Sequence, residues 1–342
     1  MASNYTKCLV WGKGSPLIAT ATTRPTTIEP TEVMIRIKAI AINPADCKMI
    51  DQGHRVTEWP FVPGLDGAGV VEAVGDKVNN FASGDRVTAL FAPGDRGGSY
   101  QDLAVVQETR VAKIPTAWSF EDAATLAVCY YTGIAALGIG LQSSLPFVGD
   151  GPLTDFKPSS VLVLGGSSAL SAAVIQLLHL ALPDCRILAT SSPKHHDHIT
   201  NNLGADKAFD RNSTSLVADV KVASPSSRGV DAIIDAVGAG ATERYIFETF
   251  DPDGPRRYAQ VWTGDAEIQV PSGVNSMLFR SRDVPQLQGA DNMMQALQTL
   301  LEQGKYKLPL PVQNVGNGLG ALERGLELMR KGVSGEKLVV TV

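Results

Sequence analysis

A chain of 342 residues is too long for one hydrophobic core of ordinary size, so two domains are expected. With 44% hydrophobic and 19% charged residues it is globular rather than disordered, and a net charge of −5 provides no basic field for nucleic acid or an anionic membrane. No apolar run approaches bilayer-spanning length, the N-terminal MASNYTKCLVWGKG lacks a signal-peptide core, and Cys8, Cys47, Cys129 and Cys185 form no C-x-x-C pair; reduced thiols in the cytosol are the default.

Residues 1 to about 120 read as short strands with turn punctuation. Val33–Ala41 alternates as a half-buried strand should, and Asn43-Pro44 is read as its break. Gly67–Val74, Arg86–Leu90 after Gly84-Asp85, and Ser99–Val106 after Gly97-Gly98 follow as strands, together suggesting a partly open antiparallel barrel. From Phe120 the spacing turns helical, over Glu121–Leu126 and Tyr130–Leu141. Ser143–Ser160, rich in proline and glycine, is expected to be a surface insertion.

Strands and helices then alternate, as in a parallel sheet covered on both faces. The strands are Val161–Leu164, Arg186–Thr190, Lys207–Phe209, Val230–Asp235 and Arg257–Trp262; the helices are Ser168–Leu182, Lys194–Leu203, Ser213–Val222 and Ala241–Thr249. After Asn292 come a helix, a strand near Leu308–Val315, a helix Leu319–Arg330 and a closing strand Lys337–Val342, expected to return to the first domain.

The sharpest local feature is VLVLGGSSALSAAVIQLL at Val161–Leu178: a buried strand, a glycine turn, then a helix. Such a turn presents backbone N–H groups and a positive helix end to a pyrophosphate. Ser167, Ser168, Ala169 and Ser171 occupy places where a full fingerprint has glycine, yet small residues let a phosphate approach and serine hydroxyls can donate to it. The alternative is a strand-to-helix turn without a ligand. His195, His196 and His198 form either a solvated loop or a metal site that lacks a partner beyond Asp197.

Asn43-Pro44-x-Asp46, Pro63-Gly64-x-Asp66-x-x-Gly69, Gly84-Asp85-Arg86-Val87, Gly97-Gly98-x-Tyr100, the Gly165 turn, Leu203-Gly204-Ala205-Asp206, Asp235-x-Val237-Gly238 and Ser334-Gly335-x-Lys337 occur in the order found in the medium-chain dehydrogenase/reductase superfamily. The resemblance runs along essentially the whole chain. It implies an α/β protein with a GroES-like, partly open β-barrel catalytic domain (1–125 and 291–342) and a Rossmann doubly wound parallel sheet that binds NADPH (126–290). Zinc alcohol dehydrogenases of this superfamily have His-Glu after the glycine at Gly64, whereas this chain has Leu65-Asp66, which points to the zinc-free branch. Within it, Asn43–Lys48, Gly165-Gly166-Ser167-Ser168 and Ser191-Ser192-Pro193-Lys194 resemble the trans-acting enoyl reductases of fungal polyketide synthases.

That resemblance implies hydride transfer from NADPH to the β-carbon of an unsaturated polyketide thioester held on a synthase's acyl carrier domain, by a cytoplasmic monomer or homodimer with no nucleic-acid or membrane partner. Lys48 is implied as proton donor and oxyanion partner and Thr132 as a second hydroxyl donor; a surface lysine and a helix-capping threonine are the alternatives. Tyr130 and Tyr131 are further possible donors. The cofactor set is Gly165, Gly166, Ser167, Ser168, Ala169, Ser191, Lys194, Arg211, Val237, Gly238, Val333 and Ser334. No carboxylate follows the strand ending at Thr190 before Asp197, so Lys194, Arg211 and two serine hydroxyls suit a 2′-phosphate, unless the two cations are merely solvated. Arg256-Arg257 with Arg280 and Arg282 are the basic pairs expected to meet an acidic carrier. A stand-alone quinone or enone reductase, and a non-redox isomerase or binding protein on the same fold, are the competing readings.

Overall fold

Strands form where the pattern allows burial, and the chain divides around them. The computed structural model describes residues 4–149, 156–262, 264 and 266–342, in two units: Met1–Val128 with Met293–Val342, and Cys129–Asn292.

The first unit opens with a hairpin of β1 (Asn4–Leu9) and β2 (Ile18–Thr23), then β3 (Glu32–Ala41), buried along nearly its whole length. Asn43-Pro44 does end β3, but it also begins α1 (Pro44–Gln52), a helix the sequence reading lacks. Proline is preset for the first helical position, and the Asp46 carboxylate accepts the Asn43 N–H at 2.8 Å. Gly53, at φ +70°, closes the helix. β4 (Asp66–Val74), β5 (Arg86–Leu90), β6 (Leu103–Gln107) and β7 (Val111–Lys113) extend the sheet antiparallel, β4 and β6 both pairing with β3. The expected strand at Ser99–Val106 is thus shortened. Ser99 and Tyr100 give their N–H groups to the carbonyls of Gly64 and Pro63 instead of to a ladder.

α2 (Phe120–Ala123) and α3 (Ala127–Ala135) run into a wider π-turn at Ala136–Leu141. Against the reading that no apolar run is long enough, these 22 residues have the length and composition to cross a membrane, but 78% of the apolar window is buried inside the protein. Burial in the core accounts for their apolarity. The loop that follows is not simply a surface insertion either. Leu145 and Val148 are buried and Ser143 donates to the Phe156 carbonyl at 3.2 Å, while 150–155 lie outside the described residues.

The second unit is built on β8 (Ser160–Leu164), α4 (Ala169–Ala181), β9 (Arg186–Ser191), β10 (Lys207–Asp210), α5 (Leu216–Ala223), β11 (Ala232–Asp235), β12 (Arg257–Val261) and β13 (Asn275–Phe279). All six strands are parallel in the order β10-β9-β8-β11-β12-β13, so the winding reverses between β8 and β11. The carboxyl ends of strands beside such a reversal are where ligands bind. Two expected helices are replaced by tighter or wider turns: Pro193–His195 with His198–Asn202, and Ala239–Ala241 with Arg244–Thr249.

The chain then rejoins the first unit through α6 (Met293–Glu302), β14 (Val312–Asn317), α7 (Leu322–Lys331) and β15 (Lys337–Thr341). β15 lies between β14, parallel, and β3, antiparallel, so the closing strand does return to the first sheet.

Candidate functional site

In the second unit the phosphate turn is shaped by strict backbone requirements. Gly165 sits at φ +68°, and a Cβ there would lie 2.5 Å from a Val237 methyl carbon. Its N–H reaches Thr190 Oγ1 at 3.3 Å, and the Gly166 N–H reaches the Thr190 carbonyl at 2.7 Å, tying the turn to the end of β9. Ser168 Oγ accepts the Ser171 N–H at 3.1 Å as an N-cap and donates to Ser171 Oγ, which in turn donates to the Leu164 carbonyl at 2.8 Å. Two of the three serine hydroxyls are therefore committed within the turn. Ser168 holds the helix start rather than offering its hydroxyl proton to a ligand. Among the described residues, the N–H groups of Ser167, Ala169 and Leu170 have no protein acceptor. These N–H groups, the Ser167 hydroxyl and the positive end of α4 fit a pyrophosphate.

At the end of β9, Ser191 is 1% exposed and its hydroxyl donates to the Ser192 carbonyl, so it too is turned inward. Ser192, half-buried, follows at that strand end. Lys194 is exposed on the next turn. Arg211, also exposed, is brought alongside by its N–H donating to the Ser191 carbonyl at 3.0 Å. An ammonium, a guanidinium and a hydroxyl thus border one strand end, a donor set that fits a phosphate.

The turn after β11 is organised by a residue whose role the sequence reading missed. The Asp235 carboxylate, fully buried, accepts the N–H groups of Val237 (3.1 Å), Ala239 (3.0 Å) and Gly240 (2.8 Å) and the Tyr258 hydroxyl (2.5 Å). That grip holds Val237, 51% exposed, over Gly165. Gly238, at φ +72°, has no atom within 4 Å of a would-be Cβ, leaving an open cradle. The signal was the Asp-x-Val-Gly spacing at a strand end. Thr132 is the sixth residue of α3, not a helix cap; the neighbouring Gly133 lets α3 approach α4, where a Cβ would meet Leu177 at 2.7 Å. Tyr130 is fully buried, and burial pushes its hydroxyl pKa up, which disfavours it as a donor.

In the first unit Lys48 is half-buried on α1. The helix start stands on a buried polar cluster. Asn43 Nδ2 donates to Asp66 Oδ2 at 3.0 Å, Lys337 Nζ reaches Asp66 Oδ2 at 3.3 Å and also bonds Asn43 Oδ1, and the Val128 N–H binds Asp66 Oδ1 at 2.7 Å. Burial raises the Asp66 pKa, with Lys337 opposing. Burial also lifts Asp46 to about 7, the Asn43 N–H opposing it, while the Asp66 charge adds to the rise. Asp46 Oδ1 and the Tyr100 hydroxyl are both fully buried; burial first, and then the Asp46 charge, keeps the phenol protonated. Leu65 packs on the apolar core, and the Cys47 thiol, pushed up to about 12 by burial, faces the Leu326 carbonyl. Among the described residues no group of three His, Cys, Asp or Glu is placed to hold a metal ion.

Arg330 on α7 pairs with Asp51 on α1 at 2.8 Å, joining the two helices. Val333 and Ser334 follow α7 in the same unit; Val333 is partly buried against the core and Ser334 is exposed. The structure therefore gathers Gly165–Ala169, Lys194, Arg211, Val237 and Gly238 around neighbouring strand ends of one unit, and places Lys48, Val333 and Ser334 in the other. Among the basic pairs, Arg257 and Arg280 are engaged within their own unit, while Arg282 is exposed. Arg257 stacks on Phe156 at 3.9 Å and bonds the Leu141 carbonyl, while Arg280 pairs with Asp283 at 2.5 Å and, with Arg282, flanks Trp262.

Comparison with known proteins bears on the fold and the family. Residues 29–116 match the alcohol dehydrogenase GroES-like domain. The chain is 32% identical to the trans-enoyl reductase pyiC of Pyricularia grisea, covering 92% of this chain and 88% of that one. It is 31% identical to lovC, the enoyl reductase component of the lovastatin nonaketide synthase of Aspergillus terreus, covering 90% and 88%. The CurK enoyl reductase structure shares the fold, with a TM-score of 0.75 at 20% identity over 99% of this chain and 98% of that one. The fold is thus a GroES-like domain joined to a Rossmann-type parallel sheet, and oxidoreductases of this kind use a nicotinamide cofactor. The chain belongs to the medium-chain dehydrogenase/reductase superfamily, in the group of the fungal trans-enoyl reductases.

Proposed function

We propose that this protein is an NADPH-dependent, zinc-independent enoyl reductase that acts in trans on an α,β-unsaturated polyketide thioester presented by the acyl carrier domain of a synthase in the cytosol. The observation that carries this reading is the match to trans-enoyl reductases across nine-tenths of the chain. The residues agree with it. Leu65, a side chain that cannot bind a metal, fills the place of a ligand, and no carboxylate precedes Asp197 after β9.

When bound, the reduced nicotinamide supplies hydride to the substrate's β-carbon. The N–H groups of Ser167, Ala169 and Leu170 hold the pyrophosphate, and Lys194 and Arg211 take the 2′-phosphate. Each such charge-assisted contact is worth about 1.5–3 kcal/mol, enough for tenfold or greater preference over NADH. Val237 and Gly238, fixed by Asp235, would hold the nicotinamide end of the dinucleotide. Lys48 donates a hydrogen bond to the thioester oxygen as negative charge gathers there, and passes a proton to the α-carbon. The Thr132 hydroxyl orients the substrate or the carboxamide.

The test follows NADPH oxidation with one unsaturated acyl group offered on a carrier domain, on free pantetheine, and beside a small quinone and a free enone. Faster turnover of the carrier-bound thioester is the expected result. Equal or better turnover of the quinone or enone makes the protein a stand-alone reductase, and failure to bind NADPH in a fluorescence titration makes it non-redox.

A further inference from the structure

We propose that the His195 imidazole completes the 2′-phosphate site with Lys194 and Arg211, and takes up a proton as the phosphate binds. The inference rests on the reading that the dinucleotide is NADPH. Its first support is backbone geometry. The turn Pro193–His195 closes with the His195 N–H on the Ser192 carbonyl at 3.0 Å, folding the imidazole-bearing residue back over the end of β9. From the neighbouring strand, Asp210 pairs with Ser191, and the Arg211 N–H reaches the Ser191 carbonyl at 3.0 Å. His195 and Arg211 therefore border Ser192 from two sides, with Lys194 next in the chain.

The second support is the sign of the local field. His195 is half-buried, and its pKa is held below the usual imidazole value by that burial and then by Lys194, His198, His196 and Arg211, all positive or able to become so. Asp210 accepts the Asn212 N–H at 3.0 Å; Glu243 accepts the Tyr245 hydroxyl at 3.2 Å, which also touches the Arg211 carbonyl at 3.0 Å; and Asp197 is exposed. A cluster of like charge bordering a hydroxyl suits an anion. A phosphate dianion placed there reverses the field at His195, so the imidazole gains a proton and a charge-assisted bond. Binding and protonation are then linked, each favouring the other.

The experiment measures dissociation constants of NADPH and NADH by nucleotide fluorescence on the full chain between pH 6.5 and 8.5. The ratio of the two constants removes effects common to both cofactors. For the wild type, NADPH binding weakens by roughly tenfold across this range while NADH binding stays flat, as one linked proton requires. His195→Asn abolishes the slope and binds NADPH weakly at every pH, and His195→Lys, a permanent cation, binds tightly without a slope. His196→Asn and His198→Asn retain the wild-type slope. An unchanged slope in His195→Asn with NADPH preference intact overturns this inference alone. Equal affinity of the wild type for the two cofactors overturns the NADPH reading, and the inference with it.

Discussion

Lys48 lies on α1 two residues beyond Asp46, whose carboxylate has been removed from water, and the two residues predict different phenotypes. Lys48→Ala removes the proposed proton donor, so enoyl reduction is expected to fall by about 10²–10⁴-fold while the NADPH dissociation constant is unchanged. Single-turnover and fluorescence measurements together check this; near-normal turnover of the carrier-bound substrate contradicts it. Asp46 acts through stability. Its carboxyl is lifted to about 7, chiefly by burial, so between roughly pH 4 and 7 the folded chain keeps a proton that the unfolded chain releases. The stability associated with that proton is complete below pH 4 and is lost as pH climbs to 7. Asp46→Asn keeps an acceptor for the Asn43 N–H but carries no charge. It leaves the melting temperature nearly unchanged at pH 4.5 and raises it by several degrees at pH 8, and a pH series of thermal melts reads the trend.

Elements at the second unit's strand ends show what pattern reading resolves and what it does not. β8 and its helix are legible because a parallel strand buried on both faces is a continuous apolar run and α4 carries leucine and valine at helical spacing, within a segment buried throughout from Ser171 to Leu178. β2 and β13 are not, because edge strands with exposed residues look like loops. Asn43-Pro44 marks a strand's end and a helix's start equally well; only Asp46, three residues on, tells them apart. Lys194 and Arg211 are visible as charges, yet the commitment of Ser168 and Ser191 to internal partners depends on hydrogen-bond geometry that no spacing reveals. Two predictions belong at this scale. Ser168→Ala loses the α4 cap and about 1 kcal/mol of stability in urea, with a smaller effect on the NADPH constant than Lys194→Ala, which raises it roughly tenfold. Asp235→Asn sets an amide donor among four donors in a buried place, costing about 3 kcal/mol and weakening NADPH binding. Tyr258→Phe, which removes one donor, costs less than Asp235→Asn in the same denaturation assay, and the reverse order removes the assigned hub.

Across the whole molecule, the order of eight short motifs identified the superfamily, because each marks a backbone event that the fold repeats: a cap, a tight turn, a strand end. Long-range pairings stayed hidden. The Lys337–Asp66 contact joins residues 271 positions apart, and neither side chain alone signals a buried partner. The same separation has a consequence for biosynthesis. β6 covers Glu32–Arg36 on the side of β3 away from β4, but the stretch Ala39–Ala41 on that side is covered only once β15 has paired with it, and the ribosome makes the entire nucleotide-binding unit between β3 and β15. The parallel sheet is thus complete while the first unit's sheet still lacks β15 along Ala39–Ala41. Nascent chains stalled before Lys337 should yield a protease-resistant core from Cys129–Asn292 and a digestible N-terminal portion, which becomes resistant only when the final strand emerges from the exit tunnel.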